Sequence, residues 1–233
     1  MPDCRGRLRA SRIGVSVTEK RQRISVDAAK VSAVRTVVRG AAWTFVYAPG
    51  AGSNIDDPFG VYAAGALARH GVSTLRFQFP YMEVGRRAPD RTPILEATWR
   101  AALDAARDGK TRLVAGGRSM GGRIASQVAA QGAAVDALAV FAYPLHPPGK
   151  PEQVRDAHLP LLKMPVLFCS GTNDAFASPD ELRAAAKKPR RAHLHLLDGA
   201  DHGFAVRRSS GRTREDVWAE AVAAMVDWLT SIA

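Results

Sequence analysis

The chain has 233 residues, 46% of them hydrophobic, and a formal net charge of +11. That length fits one large domain with a sizeable core, and no apolar run reaches the roughly 18–20 residues that span a bilayer. The Arg-rich start has no apolar segment behind it, so it does not read as a secretory signal. The only cysteines, Cys4 and Cys169, fall in a polar start and in an apolar run, a usage that fits a reducing cytoplasm rather than a disulfide framework.

Charge is concentrated at the beginning. Residues 1–39 carry ten Lys/Arg against three acids, seven of the eleven net charges. Residues 1–23, MPDCRGRLRASRIGVSVTEKRQR, show little apolar periodicity. They read as a basic, flexible, solvated extension of a single domain over residues 24–233. With no interleaved aromatics and no zinc or helix-turn-helix pattern, nucleic acid is not the expected partner.

From residue 31 strands and helices alternate. VSAVRTVV (31–38) and WTFVYA (43–48) are β-rich runs. A helix is expected over residues 55–71, ending at Gly71, then a strand over 72–79 ended by Pro80. Thr92-Pro93 reads as an N-cap and first helical residue, with the helix running to about Arg107. TRLVAGG (111–117) is a strand, and a helix follows through Ala130. Residues 135–143, 164–171 and 192–198 are three more strands, with a helix expected from Pro179 to Lys187. The last helix begins near Thr213 and places Trp218, Ala221, Val222, Met225 and Leu229 on one face. Buried strands alternating with helices predict an α/β fold, a mostly parallel twisted sheet covered on both faces. The irregular stretch 145–163 is too short for a large cap domain.

Chemistry gathers at AGGRSMGGR (115–123). Gly117-Arg118-Ser119-Met120-Gly121 fits G-x-S-x-G, the sharp strand-to-helix turn that presents a serine nucleophile. Gly117 and Gly121 sit where strand and helix pass too close for a side chain. The rival phosphate loop requires lysine and a hydroxyl where Arg123 and Ile124 stand, and around Gly50-Ala51-Gly52 the third dinucleotide-fingerprint glycine is replaced by Ile55. A serine needs a base and an orienting acid, in the order Ser, Asp or Glu, His. Asp174, after the strand ending in GTND, and His202, in GADHGF after the last strand, meet that order. The amide of Met120 and one from the early glycine loop, Ala51 with Gly52 as fallback, are the expected oxyanion donors. Tyr81, Tyr143 and His146 are candidate pocket residues. No metal site and no cofactor are expected.

Together YAPGAGS (47–53), GGRSMGGR (116–123), GTND (171–174) and GADHGF (199–204) resemble the α/β-hydrolase superfamily, in particular its small dienelactone-hydrolase-like predicted hydrolases. The resemblance covers roughly residues 30–233. It implies a sheet of about eight strands with only the second antiparallel, and Ser119, Asp174 and His202 as triad. Pro49 stands where many relatives carry histidine. The expected function is a serine hydrolase cleaving an ester or related acyl bond through an acyl-enzyme on Ser119, with a small acyl substrate and no membrane partner. Relatives of the group include chromatin-complex subunits, so a non-catalytic interaction module on the same scaffold is the alternative reading.

Overall fold

The computed structural model describes residues 17–233. One eight-stranded sheet forms the centre, in the order β1-β2-β4-β3-β5-β6-β7-β8. Its strands are β1 (Val17–Val26), β2 (Ala29–Val38), β3 (Trp43–Ala48), β4 (Val72–Phe77), β5 (Arg112–Arg118), β6 (Ala137–Phe141), β7 (Val166–Gly171) and β8 (Ala192–Leu197). β2 is antiparallel to both neighbours, and every pair from β4 to β8 is parallel. The expected sheet, with its second strand alone reversed, is therefore the one present.

The helices are α1 (Pro58–Arg69), α2 (Pro80–Glu83), α3 (Thr92–Ala106), α4 (Met120–Ala130), α5 (Pro179–Ala186) and α6 (Arg214–Ser231). Alternation along each strand divides the core in two. Phe45 and Tyr47 of β3 pack with α1 and α6, through Phe59, Leu67, Val217, Met225 and Leu229. Val46 and Ala48 face the opposite side, where α3 and α4 supply Trp99, Leu103, Ile124 and Val128. Central strands β3, β4, β6 and β7 are buried along their whole length, which explains why they read as continuous apolar runs.

Two local expectations shift. Arg91, not Thr92, takes the N-cap place of α3, which puts Pro93 one position further in, still within the first turn where its missing N–H costs nothing. The assignment of residues 17–23 to a flexible extension is corrected: they form most of β1, paired residue by residue with β2 from Val17↔Val38 to Val26↔Ala29. The strand looked like a tail because it is an edge. Only Ile24 and Val26 are buried along it, so its side chains need not be apolar, and its Lys20, Arg21 and Arg23 suit an unpaired sheet margin. Residues 1–16 of the expected extension lie outside the described residues.

Candidate active site

The carboxyl ends of β3, β5, β7 and β8 converge on one edge of the sheet, the place where open α/β sheets build their sites. Ser119 follows β5 with φ 52° and ψ −120°, a backbone conformation that costs a non-glycine residue of order 1–3 kcal/mol. Its N–H donates to Phe141 O at 2.8 Å. The turn is tight because α4 crosses directly over the end of β3. A Cβ on Gly117 would lie 2.1 Å from Ala48 O, and one on Gly121 2.2 Å from the same atom. Both glycines are thus steric requirements of the elbow, as the motif predicts.

Ser119 occupies the N-cap position of α4, yet its hydroxyl caps nothing. Ser119 Oγ lies 2.8 Å from His202 Nε2 instead. On the far side of the ring, His202 Nδ1 is 2.9 and 2.8 Å from the two Asp174 oxygens. Asp174 is buried, and its Oδ1 also accepts the Phe176 N–H at 2.8 Å. The Phe176 ring stacks on the imidazole, with centroids 3.9 Å apart and planes at 26°. The three residues picked out by chain order therefore meet in one hydrogen-bonded line. Phe176, which the sequence did not single out, fixes the ring plane.

Other acids and histidines of the chain have partners of their own. Glu83 is held by Ser32, Arg23 and Gln78, Asp201 accepts the Gly203 and Ala205 amides, and His195 pairs with Glu220. Cys169 is fully buried in β7, and burial pushes its thiol far above the ordinary range, so it is no nucleophile at neutral pH.

The loop after β3 is held rigidly. Asp57 caps α1 by accepting the Gly60 N–H at 2.9 Å and takes the Tyr47 hydroxyl at 2.6 Å. Arg118 Nη2 reaches its other oxygen at 3.2 Å. Tyr81 Oη accepts the Gly52 N–H at 3.1 Å, and burial raises that phenol's pKa, so it remains a neutral hydroxyl. The fallback donor is corrected by this contact: the Gly52 amide is already engaged. Ala51 and Met120 both line the cavity beside Ser119. The amide of Met120 belongs to the first turn of α4, whose N–H groups have no partner within the helix.

That cavity has a volume of about 390 Å³. Its walls hold Gly50, Ala51, Ser119, Met120, Phe176 and His202, together with Arg118, Arg123 and Arg155. The three pocket residues expected from sequence are not among them. Tyr81 is consumed by Gly52. Tyr143 is buried and donates its hydroxyl to Arg155 O at 2.9 Å. His146 turns to Glu181 at 3.3 Å. All three lie shortly after strands β4 and β6, but each is engaged with the scaffold around the site.

The family of alpha/beta hydrolase domains matches residues 41–230. The chain belongs to that family. Its fold is similar to that of a dienelactone hydrolase from Anabaena variabilis (TM-score 0.74, 19% identity, 92% of this chain and 98% of the other). It is similar as well to Est1E from Butyrivibrio proteoclasticus (TM-score 0.71, 16% identity, 90% and 99%). A third similar structure is an alpha-beta serine hydrolase homologue from Coxiella burnetii (TM-score 0.68, 19% identity, 88% and 96%). These likenesses span nearly the whole of each chain, in keeping with a fold that carries no large cap. No helix of the described residues is long and apolar enough to cross a membrane.

Proposed function

We propose that the protein is a serine hydrolase that cleaves a small ester or related acyl compound through an acyl-enzyme on Ser119. One observation carries the reading: His202 Nε2 stands 2.8 Å from Ser119 Oγ while its Nδ1 is held by Asp174. A base within hydrogen-bond reach of a hydroxyl, itself oriented by a buried carboxylate, is what an oxygen nucleophile needs at neutral pH.

In the first half-reaction Ser119 Oγ bonds to the acyl carbon as its proton passes to His202 Nε2. The carbonyl π pair moves onto oxygen, where the Ala51 and Met120 amides face it and the α4 dipole favours the charge. The pair returns, the bond to the leaving alkoxide breaks, and the imidazolium protonates that alkoxide. Water then repeats the sequence: its proton goes to His202, its oxygen bonds to the acyl carbon, and Ser119 Oγ leaves and recovers the proton. The products are an alcohol and a carboxylic acid, and no cofactor takes part in these steps. Asp174 holds the imidazole in place and stabilises the imidazolium.

A fluorophosphonate probe is expected to add to Ser119, read as one adduct in the intact mass and located by peptide mapping. The Ser119→Ala chain should take no label, and Asp174→Asn should lower kcat by about 10⁴-fold through the wrong imidazole tautomer. A folded wild-type chain that takes no label and cleaves no ester would leave the alternative, an interaction module, as the better reading.

A further inference from the structure

We propose that Glu83 is a positioning residue for the loop after β3: it ties the basic edge strand β1 to the side chains that fix residues 52–55, and so sets where the Ala51 amide points. The coupling stands on hydrogen bonds alone, while its effect on rate rests on the proposed acyl-enzyme mechanism, in which Ala51 is an oxyanion donor.

Both backbone groups of Ile55 are taken by side chains from the end of β4. Buried Arg76 donates through Nη1 to Ile55 O, and Gln78 Oε1 accepts the Ile55 N–H at 3.2 Å. Beside Ala51, the Gly52 N–H donates to Tyr81 Oη at 3.1 Å. Glu83 is common to two of these supports. It stands two residues after Tyr81 on α2, and its Oε1 accepts Gln78 Nε2 at 2.7 Å. The same carboxylate is anchored on the β1–β2 hairpin. Oε1 accepts the Ser32 N–H at 2.6 Å, and Oε2 accepts Arg23 Nη1 at 2.7 Å and the Ser32 hydroxyl at 3.3 Å. Burial would raise the Glu83 pKa, but the bonds from Ser32, Arg23 and Gln78 outweigh it and hold the carboxyl below its ordinary range. It therefore stays a charged acceptor at neutral pH.

The sequence of β1 delivers this arrangement. Glu19, Arg21 and Arg23 alternate along the strand, so they share one face. They stand opposite Thr36, Val34 and Ser32 of β2, and Val34 stands opposite Arg76 of β4. All three charges reach toward the loop, but they are not equal. Arg21 Nη2 lies 3.6 Å from Asp56 Oδ1 with both side chains well exposed, and exposed Glu19 lies 3.8 Å from Arg76 Nη2. Loose exposed pairs contribute little. The Arg23–Glu83 contact is short, and its carboxylate is only 16% exposed, which favours a strong charge-assisted bond. Glu83 thus carries most of the connection from β1 to the loop.

The test is Glu83→Gln in the full chain, which keeps the size of the side chain and removes its charge. Hydrogen exchange at the Gly52 and Ile55 amides should quicken by about tenfold, the scale of one hydrogen bond to a charged group, while the amides of β7 keep their wild-type rates. Ester kcat should fall by about the same factor with KM unchanged. Affinity for a trifluoromethyl ketone should fall with kcat, because its hemiketal on Ser119 carries an oxyanion. Arg23→Gln, at an exposed position, should move each readout in the same direction, and Arg23→Lys should recover part of it. This pair serves if the Glu83 chain does not fold. Unchanged exchange at Gly52 and Ile55 in a folded Glu83→Gln chain would overturn the coupling. Faster exchange with unchanged kcat and ketone affinity would overturn the positioning role and leave the hydrolase standing. Faster exchange in a protein whose wild type cleaves no ester and takes no fluorophosphonate would retain the coupling and remove the reaction.

Discussion

Arg118 Nη2 and Asp57 Oδ1 lie 3.2 Å apart, and this contact joins the nucleophile elbow to the loop after β3. Arg118 immediately precedes Ser119, and Asp57 begins the helix that ends that loop. Asp57 is almost wholly enclosed, with Arg118 as its cation and Tyr47, Gly60 and Ser53 as further donors. The arginine inside the G-x-S-x-G motif thus ties the elbow to the end of the loop that carries Ala51, and under the proposed mechanism it acts as a positioning residue for the two expected oxyanion donors. Arg118→Met should lower stability by about 1.5–3 kcal/mol, the scale of a hydrogen bond to a charged group, and should lower kcat more than it raises KM. Chemical denaturation and steady-state kinetics check both. An unchanged kcat in a destabilised chain would restrict Arg118 to a structural role.

Gly121 gives a sharper steric prediction. A methyl group there would lie 2.2 Å from Ala48 O and 2.6 Å from Pro49 O, both backbone atoms that have no rotamer to change. Gly121→Ala should therefore push α4 away from β3, with a loss of about 1–3 kcal/mol or more and a fall in activity beyond what stability explains. Gly132, positioned after α4 with open space around it, is the control site: Gly132→Asn should fold with the elbow intact, as judged by probe labelling of Ser119.

His158 predicts a pH effect on stability. Its pKa is about 4 in the folded chain against 6.5 for the free side chain, first through burial and then through Arg123. Between those values the unfolded chain binds the extra proton, so stability rises with pH from about 4 to 6.5 and is lost on acidification through that window. Urea unfolding at pH 7, 6 and 5 should show the decline, and His158→Gln should flatten it. A variant whose slope matches the wild type would assign the decline to other groups.

Much of this architecture is legible in the sequence because chain order and strand ends determine it. Ser119, Asp174 and His202 each follow a strand of the parallel sheet, and parallel strands deliver their carboxyl ends to one edge whatever the details of packing. The pocket walls follow no such rule. Tyr81, Tyr143 and His146 have the right addresses, but side-chain direction decides whether a residue lines a cavity or braces it. The sequence does not bring Arg123 and Arg155 to one cavity, because Arg155 arrives from an irregular segment whose path no periodicity encodes. Asp57 left a signal that could have been read: an acid directly before Pro58 is the composition of an N-cap.

The pairing of β1 with β2 bears on how the basic N-terminus can be studied. A chain shortened to begin at Ile24 would lose most of an edge strand, not a tail, and would bare the β2 ladder from Ser32 to Val38. Exposed backbone of that kind recruits other chains, so such a protein would report self-association in any retention assay intended to measure the contribution of charge. A chain beginning at Val17 keeps the whole hairpin and removes four arginine side chains. That cut point separates electrostatics from sheet integrity.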